Sequence, residues 1–449
     1  MQTLQDRPAA SAAWPRKAWS PGLGAATALA LLVGCAYLLA ADLSLELLTK
    51  PDGVAAFWPA AGIASGTLIA LGPWARLPTA IGVAGATIVA NLLGDRNLPG
   101  AIVFAACNAG EAILIGHLIT QQFGARFSLD SVHRVLAFLG VVGIATVLSG
   151  IGGTAGFALF HSPEAPLLMI WANWVASDAL GSILVAPLLI GFAGLMLDLP
   201  DRWEVAKASL TLAALFIVSA TAFSAGADGW HNILPLALLL PVLVAAQCRP
   251  VFAAAAALIL GFGVIWAATF PTSEAAYSHA HGQVYAARAT LLAISICTLI
   301  LAALFAERRR NEAALKDANE RLQLALDAAE LGVWTIDAKS GCFDSDARDK
   351  RIHGHSLASP PINLAEVRRF VHAEDLPRLD QAFAASKRGG GSCKLEYRLT
   401  PALSGTEPGQ DRWVALEGTV VRDAVGEPMR LLGVTRDITH RKRAEQALA

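Results

Sequence analysis

The stretch from Ala286 to Leu331 constrains the fold more than any other. Ala286 to Ala306 is apolar except for Arg288 near its start. At ~20 residues and ~1.5 Å per residue, it is long enough to cross a bilayer. Glu307-Arg308-Arg309-Arg310 then stops it, and such a cluster belongs on the cytoplasmic side. Residues 311–330 hold neither Gly nor Pro, so nothing forces the helix to end at the membrane surface. Leu315, Ala318, Leu322, Ala325 and Ala329 fall at a 3-4-3-4 spacing, the seam of a short coiled coil. One helix is expected to leave the membrane, pair with a second copy as a homodimer, and enter a soluble domain at Leu331-Gly332.

Charge divides the chain in two. Residues 1–310 hold 15 of the 35 basic and 15 of the 36 acidic residues, so most charge sits in the last third. The 55% hydrophobic content comes from the first part, a membrane protein by composition whose partner is lipid. A net charge of −1 gives no reason to expect nucleic acid. The six cysteines form no CxxC pair and no metal-ligand spacing, and read as reduced residues.

After a polar leader over 1–21, apolar segments recur at 22–42, 54–72, 77–94, 98–121, 133–160, 168–196, 206–225, 232–247, 250–270 and 286–306. With the leader inside, Arg76, Arg126, Arg134, Arg202, Lys207, Arg249 and the arginine triplet gather on the inner side. Only Lys50, Arg96 and Arg288 fall outside, an asymmetry that demands an even number of crossings. Ten spans are expected, with eight as the alternative because 77–94 and 232–247 are short. Glu111 and Asp178 lie mid-span, where each carboxylate costs roughly 2.5–3.5 kcal/mol on insertion. Asn108 shares a helical face with Glu111; Trp171, Trp174, Asp178 and Gly181 share another, followed by a helix-kinking Pro187. A polar ligand or proton site built on Glu111, Asp178, Asn108 and Trp174 competes with interhelical hydrogen bonding that only glues the bundle. Asn91, His117 and Trp171 read as glue or aromatic belt.

Several of these segments together resemble a family. FWPAAGIASG (57–66), ANLLGDRNLP (90–99), NAGEAIL (108–114), WANWVASDALGSILVAPLL (171–189) and LPVLVAAQCRP (240–250) look like the first class of membrane-associated sensor (MASE) domains. Trp58, Pro59, Gly62, Trp174, Asp178, Gly181 and Pro187 carry most of the likeness, which covers roughly 20–307. The resemblance implies signal reception at a bacterial membrane and names no ligand.

From Leu331 the period changes from helical to alternating. Strands are expected at 332–337, 393–400, 412–422 and 428–437, with short helices at 345–354, 363–371 and 375–387. LALDAAELGVWTID (324–337), FVHAEDLPRL (370–379), LEYRL (395–399), RWV (412–414) and LLGVTRDITHRKRAEQAL (431–448) are similar to a PAS domain with its C-terminal motif. Asp437-Ile438-Thr439 is the usual exit of such a domain into an effector. Nothing resembles a flavin-reactive cysteine motif. His353, His355 and His372 suit haem only by residue type, and a solvated surface histidine is the expectation for each. No cofactor is evident, the PAS ligand is unknown, and no metal site is expected.

The fold class expected is a polytopic α-helical membrane bundle plus a cytoplasmic α+β PAS domain, an antiparallel sheet with helices on one face. The divisions are a leader (1–21), a membrane sensor (22–306), a signalling helix (307–330), a PAS domain (331–439) and the start of an output helix (440–449). No phosphate loop, kinase, cyclase, phosphodiesterase or other catalytic signature appears, so the chain is not expected to be an enzyme. The expectation is an inner-membrane sensory receptor that passes its signal to a cytoplasmic effector absent from this chain. The alternative is a transporter-like or scaffold membrane protein regulated by its PAS domain.

Overall fold

The computed structural model describes residues 22–46, 48–49, 54–94, 96–161, 165–224, 239–269, 280–358, 360–389, 392–400 and 411–448. Two compact units divide at Asn311/Glu312. The first is helical: α1 (Leu23–Glu46), α2 (Pro59–Leu71), α3 (Arg76–Leu93), α4 (Leu98–Phe123), α5 (Val132–Phe160), α6 (Leu167–Leu197), α7 (Arg202–Ser224), α8 (Leu239–Gln247), α9 (Pro250–Thr269) and α10 (Ala280–Ala328). Two short strands, β1 (Leu48–Thr49) and β2 (Val54–Ala55), pair antiparallel between α1 and α2.

Among the described residues, seven helices are long and apolar enough to cross a membrane, so this is a multi-pass membrane protein. The segment expected to span over 54–72 is the main departure. Its helix, α2, has 13 residues and reaches only ~20 Å, well short of the ~30 Å hydrocarbon core. Ala55 to Trp58 stay outside the helix because their backbone is engaged elsewhere. By contrast 77–94, read as short, is helical throughout Arg76–Leu93 behind a 3₁₀ turn at Pro73–Ala75. Of 232–247, residues 232–238 lie outside those described, as does the leader. Helix starts carry ordinary caps: Asn97 accepts from the Gly100 amide at 2.9 Å, and Ser131 accepts from that of Arg134.

The motif residues explain how α2 seats. An ideal Cβ on Gly181 of α6 would stand closer than 3.0 Å to the Trp58 carbonyl oxygen. One on Gly62 of α2 would meet the Gly181 carbonyl oxygen just as closely. The two backbones touch directly, which is how small residues hold membrane helices together where lipid offers no hydrophobic drive. α6 runs on through Pro187 as one helix.

The second unit takes over within α10. The helix ends at Ala328, and Glu330 adopts a left-handed backbone (φ 55°) that turns the chain into β3 (Leu331–Asp337). Ala329, expected as the last seam residue, therefore falls in a turn. Then follow β4 (Cys342–Ser345), α11 (Ala347–His353), β5 (Ile362–Asn363), α12 (Leu364–Val367), α13 (Leu376–Gly389), β6 (Cys393–Leu399), β7 (Arg412–Arg422), β8 (Pro428–Asp437) and α14 (Thr439–Leu448). The sheet order is β5-β4-β3-β8-β7-β6, antiparallel throughout. β4 and β5 went unread in the sequence because strands of four and two residues show no alternation. Trp334, 1% exposed, lies over the Gly418–Gly433 pair of β7 and β8, where a Cβ on either glycine would collide with its indole. Ile352 of α11 and Leu379 and Phe383 of α13 close one side of this core. The fold is the antiparallel curled sheet of a PAS domain.

Candidate functional site

The first unit holds a cleft of about 450 Å³ among α3, α4, α5, α6 and the segment ahead of α2. Its residues come from corresponding ends of these helices. Asn91 closes α3, Phe104 and Asn108 open α4, Phe157 closes α5, and Trp174, Ser177 and Asp178 lie in the first half of α6. At the mouth the Arg96 guanidinium donates to Asn91 Oδ1 at 3.0 Å. It also lies 5.6 Å from the Phe104 ring centre and 5.1 Å from that of Phe157. His161 stacks on Phe104 at the same end. Phe104, Phe157 and Trp174 make the walls, with Phe104 and Trp174 centres 5.4 Å apart. One helical turn deeper come Asn108 and Asp178.

The floor is polar and incompletely paired. Asn108, Ser177 and Asp178 are 9%, 2% and 5% exposed, yet Asn108 Oδ1, Ser177 Oγ and Asp178 Oδ2 have no hydrogen-bond partner. Glu111, 5% exposed, adjoins Asp178 and Ser149, and its Oε2 is likewise unpartnered. The Trp174 indole lies beside the Asp178 carboxyl. Buried polar atoms cost about 1–3 kcal/mol each when unpaired, so a cluster of them around one cleft makes it the candidate site. The structure thus brings together Glu111, Asp178, Asn108 and Trp174. It adds Asn91, which the sequence reading took for glue. His117 is exposed on the outside of α4, and Trp171 lies off the cleft, its indole donating to the Val147 carbonyl at 3.4 Å.

Arg288 is the residue whose role sequence reasoning missed. Counted there as a charge at the outer edge of a span, it is 3% exposed. Its Nε donates to the Ala56 carbonyl at 2.7 Å, Nη2 to that of Ala55 at 2.8 Å, and Nη1 to Asn173 Oδ1 at 2.8 Å. Asn173 in turn donates to Tyr285 Oη at 3.1 Å. So α10 is tied to α6 and to the segment leading into Trp58, itself a cleft residue whose indole donates to Tyr37 Oη. The other end of the bundle has its own ties. Arg309 donates to the Ala246 and Cys248 carbonyls, and Arg310 pairs with Asp130 at 2.8 Å. Arg288 and Arg309 stand ~32 Å apart along α10, close to one membrane thickness.

In the second unit, His353 is buried at 4% exposure, not solvated. Asp349, Ile352 and His353 share the inward face of α11 at i, i+3 and i+4. His353 Nε2 lies 2.8 Å from Tyr397 Oη, and Nδ1 lies 3.0 Å from the Asp349 carbonyl and 3.3 Å from its Oδ1. Burial disfavours the imidazolium, but the Asp349 carboxylate outweighs it and lifts the His353 pKa above its ordinary value. Burial likewise opposes the Asp349 anion, and His353 outweighs that, holding Asp349 low. At the exit, Asp437 Oδ2 pairs with Arg412 Nε at 2.9 Å, and its Oδ1 accepts from the Thr439 amide at 2.9 Å. Ile438 is buried and donates to the Trp413 carbonyl. Glu396 of β6 receives Arg441 and, at 2.7 Å, Lys442, so α14 is clasped to the sheet. Among the described residues no group of three or more His, Cys, Asp or Glu is placed to hold a metal.

Residues 27–310 match the model of the MASE1 family. The chain belongs to the MASE1 family. Residues 344–435 match the PAS fold, and a MASE1 domain followed by PAS is the build of a membrane sensory receptor. Over 127 residues the chain is 34% identical to a blue-light-activated histidine kinase of Brucella anthropi, covering 28% of this chain and 24% of that protein. A namesake from Brucella ovis is 28% identical over 141 residues, covering 31% and 27%. The matches thus span about a quarter of those kinases. Among solved structures, a sensory box histidine kinase/response regulator from Burkholderia thailandensis is 30% identical (TM-score 0.25), covering 28% of this MASE1 chain and 92% of that one. A domain of a putative light and redox sensing histidine kinase from Haloarcula marismortui is 22% identical (TM-score 0.22), covering 26% and 98%.

Proposed function

We propose that this MASE1 protein is a bacterial inner-membrane receptor that binds a small polar molecule in the cleft. The cluster of buried, unpartnered acceptors at Asn108, Ser177, Asp178 and Glu111 carries this reading. The cleft lies at the Arg288 end of the bundle, opposite the Arg308–Arg310 triplet. With the triplet cytoplasmic, the cleft faces the periplasm and the PAS domain lies in the cytoplasm. A bound molecule that moves Trp58 or α6 acts on the Ala55, Ala56 and Asn173 oxygens held by Arg288, and so on α10. That helix pairs with a second copy along Leu315, Ala318, Leu322 and Ala325, and hands the change to the PAS sheet. Asp437-Ile438-Thr439 then passes it through α14 to an effector, a histidine kinase or a cyclic-dinucleotide enzyme. This chain contributes input and relay, not catalysis.

The test is a chimera carrying a histidine-kinase output in membranes. Asp178→Asn and Glu111→Gln are expected to leave its amount in the membrane unchanged and to abolish the response of phosphorylation to periplasmic extract. Normal responses from both variants would show that the carboxyls are structural. Uptake of a solute into proteoliposomes would instead favour a transporter.

A further inference from the structure

The cleft sorts its polar groups by sign. At the mouth stand a cation, Arg96, and His161, with Phe104 and Phe157 beneath the guanidinium. At the floor, the unpartnered side-chain atoms of Asp178 and Asn108 are both acceptors, and Ser177 Oγ stands beside them able to accept. A group that satisfies several converging acceptors must bring several N–H or O–H donors, and an ammonium brings three. The aromatic walls favour a cation passing their faces. A ligand bearing only a positive charge would set it in the field of Arg96. One bearing only a negative charge would meet the Asp178 carboxyl.

We infer that the cleft takes a small zwitterion, with its ammonium on Asp178, its carboxylate toward Arg96, and an apolar body between the aromatic walls. The inference rests on the binding role proposed above and adds the ligand class. Mouth and floor are separated by one aromatic layer and one helical turn, on the order of 10 Å between guanidinium and carboxyl. An amino acid fits that span.

Four probes decide it: norleucine and leucine as zwitterions, with n-hexylamine and hexanoate as single-charge controls. Each is titrated against the full chain in lipid nanodiscs, reading the thermal midpoint. A second readout is the labelling of Ser177→Cys, in a background lacking the native cysteines, by a membrane-impermeant thiol reagent. The zwitterions should raise the midpoint and slow labelling. Each control should bind at least about tenfold more weakly, the loss expected when one charge-assisted contact is missing. Asp178→Asn should erase the advantage of norleucine over hexanoate, and Arg96→Gln its advantage over hexylamine. Equal or tighter binding of hexylamine or hexanoate overturns the zwitterion assignment and leaves the binding role standing. So does a Ser177→Cys that labels freely but is protected by none of the probes. A Ser177→Cys that the reagent never reaches means the cleft is closed, and the binding role fails with it.

Discussion

Arg288→Lys tests whether the tie between cleft and output helix depends on geometry or only on charge. The guanidinium reaches three acceptors lying in different directions, at 2.7 to 2.8 Å. Its donors form a rigid planar fork, whereas the lysine ammonium is a point charge with a tetrahedral set. Lysine keeps the charge but serves one of the three oxygens well, orphaning two acceptors in a site where the side chain is 3% exposed. At about 1–3 kcal/mol per orphaned acceptor the loss is about 2–6 kcal/mol, a large share of a typical folding free energy of about 5–15 kcal/mol. The full chain in nanodiscs should therefore melt at a clearly lower temperature. A kinase chimera should lose its dependence on periplasmic extract even at temperatures where the variant is folded. Arg288→Ala should behave at least as badly. A wild-type midpoint and a normal response from Arg288→Lys would refute the argument, since charge alone would then suffice.

Gly181→Ala places a methyl closer than 3.0 Å to the Trp58 carbonyl. It should cost about 1–3 kcal/mol by overpacking, read as a lower midpoint, and Gly62→Ala should act alike. The His353 pKa is raised, so its contribution to stability is complete below the ordinary value of 6.5 and lost as pH climbs through the elevated folded value. Hydrogen exchange of β6 and β8, corrected for intrinsic rate, should therefore quicken as pH rises past 6.5, and His353→Gln should flatten that slope. Leu322→Cys should cross-link between copies in membranes much faster than Gln323→Cys; equal rates would make the rod a passive tether.

What the sequence disclosed and what it hid follow from the reach of each signal. Long apolar runs and mid-span carboxylates are visible one residue at a time, so the bundle and the pair Glu111/Asp178 could be read. The Asp-Ile-Thr exit was legible because its neighbours in the chain are also its neighbours in space. Arg288 was not, because counting positive charges by side treats a buried arginine and a surface one alike. The same ambiguity hid the true extent of α2: Ala55 and Phe57 read as part of a span, yet the Ala55 and Ala56 carbonyls are spent on Arg288, 233 and 232 positions away in the chain. His353 was misjudged through its company. Arg348, Lys350 and Arg351 make the segment look solvated, while Asp349, Ile352 and His353 mark an inward face too short for periodicity to show.

These placements bear on how little energy a signal needs. A ligand shifts an equilibrium only by its difference in affinity between two states, and couplings of about 1–3 kcal/mol are typical. A rod with deep, leucine-rich seams would absorb such a bias without moving. The seam proposed within α10 is Leu315, Ala318, Leu322 and Ala325, all exposed in the single chain. Two alanines in four positions bury little apolar area per turn at ~25 cal/mol per Å². Two arrangements of such a pair can lie within reach of one ligand's differential binding. The stiff part of the proposed path is instead Arg288, held by hydrogen bonds to Ala55, Ala56 and Asn173 at the cleft end of the same helix. In the proposed receptor, a rigid grip at the input and a loosely paired rod beyond it is the order in which a small displacement would survive to the PAS domain.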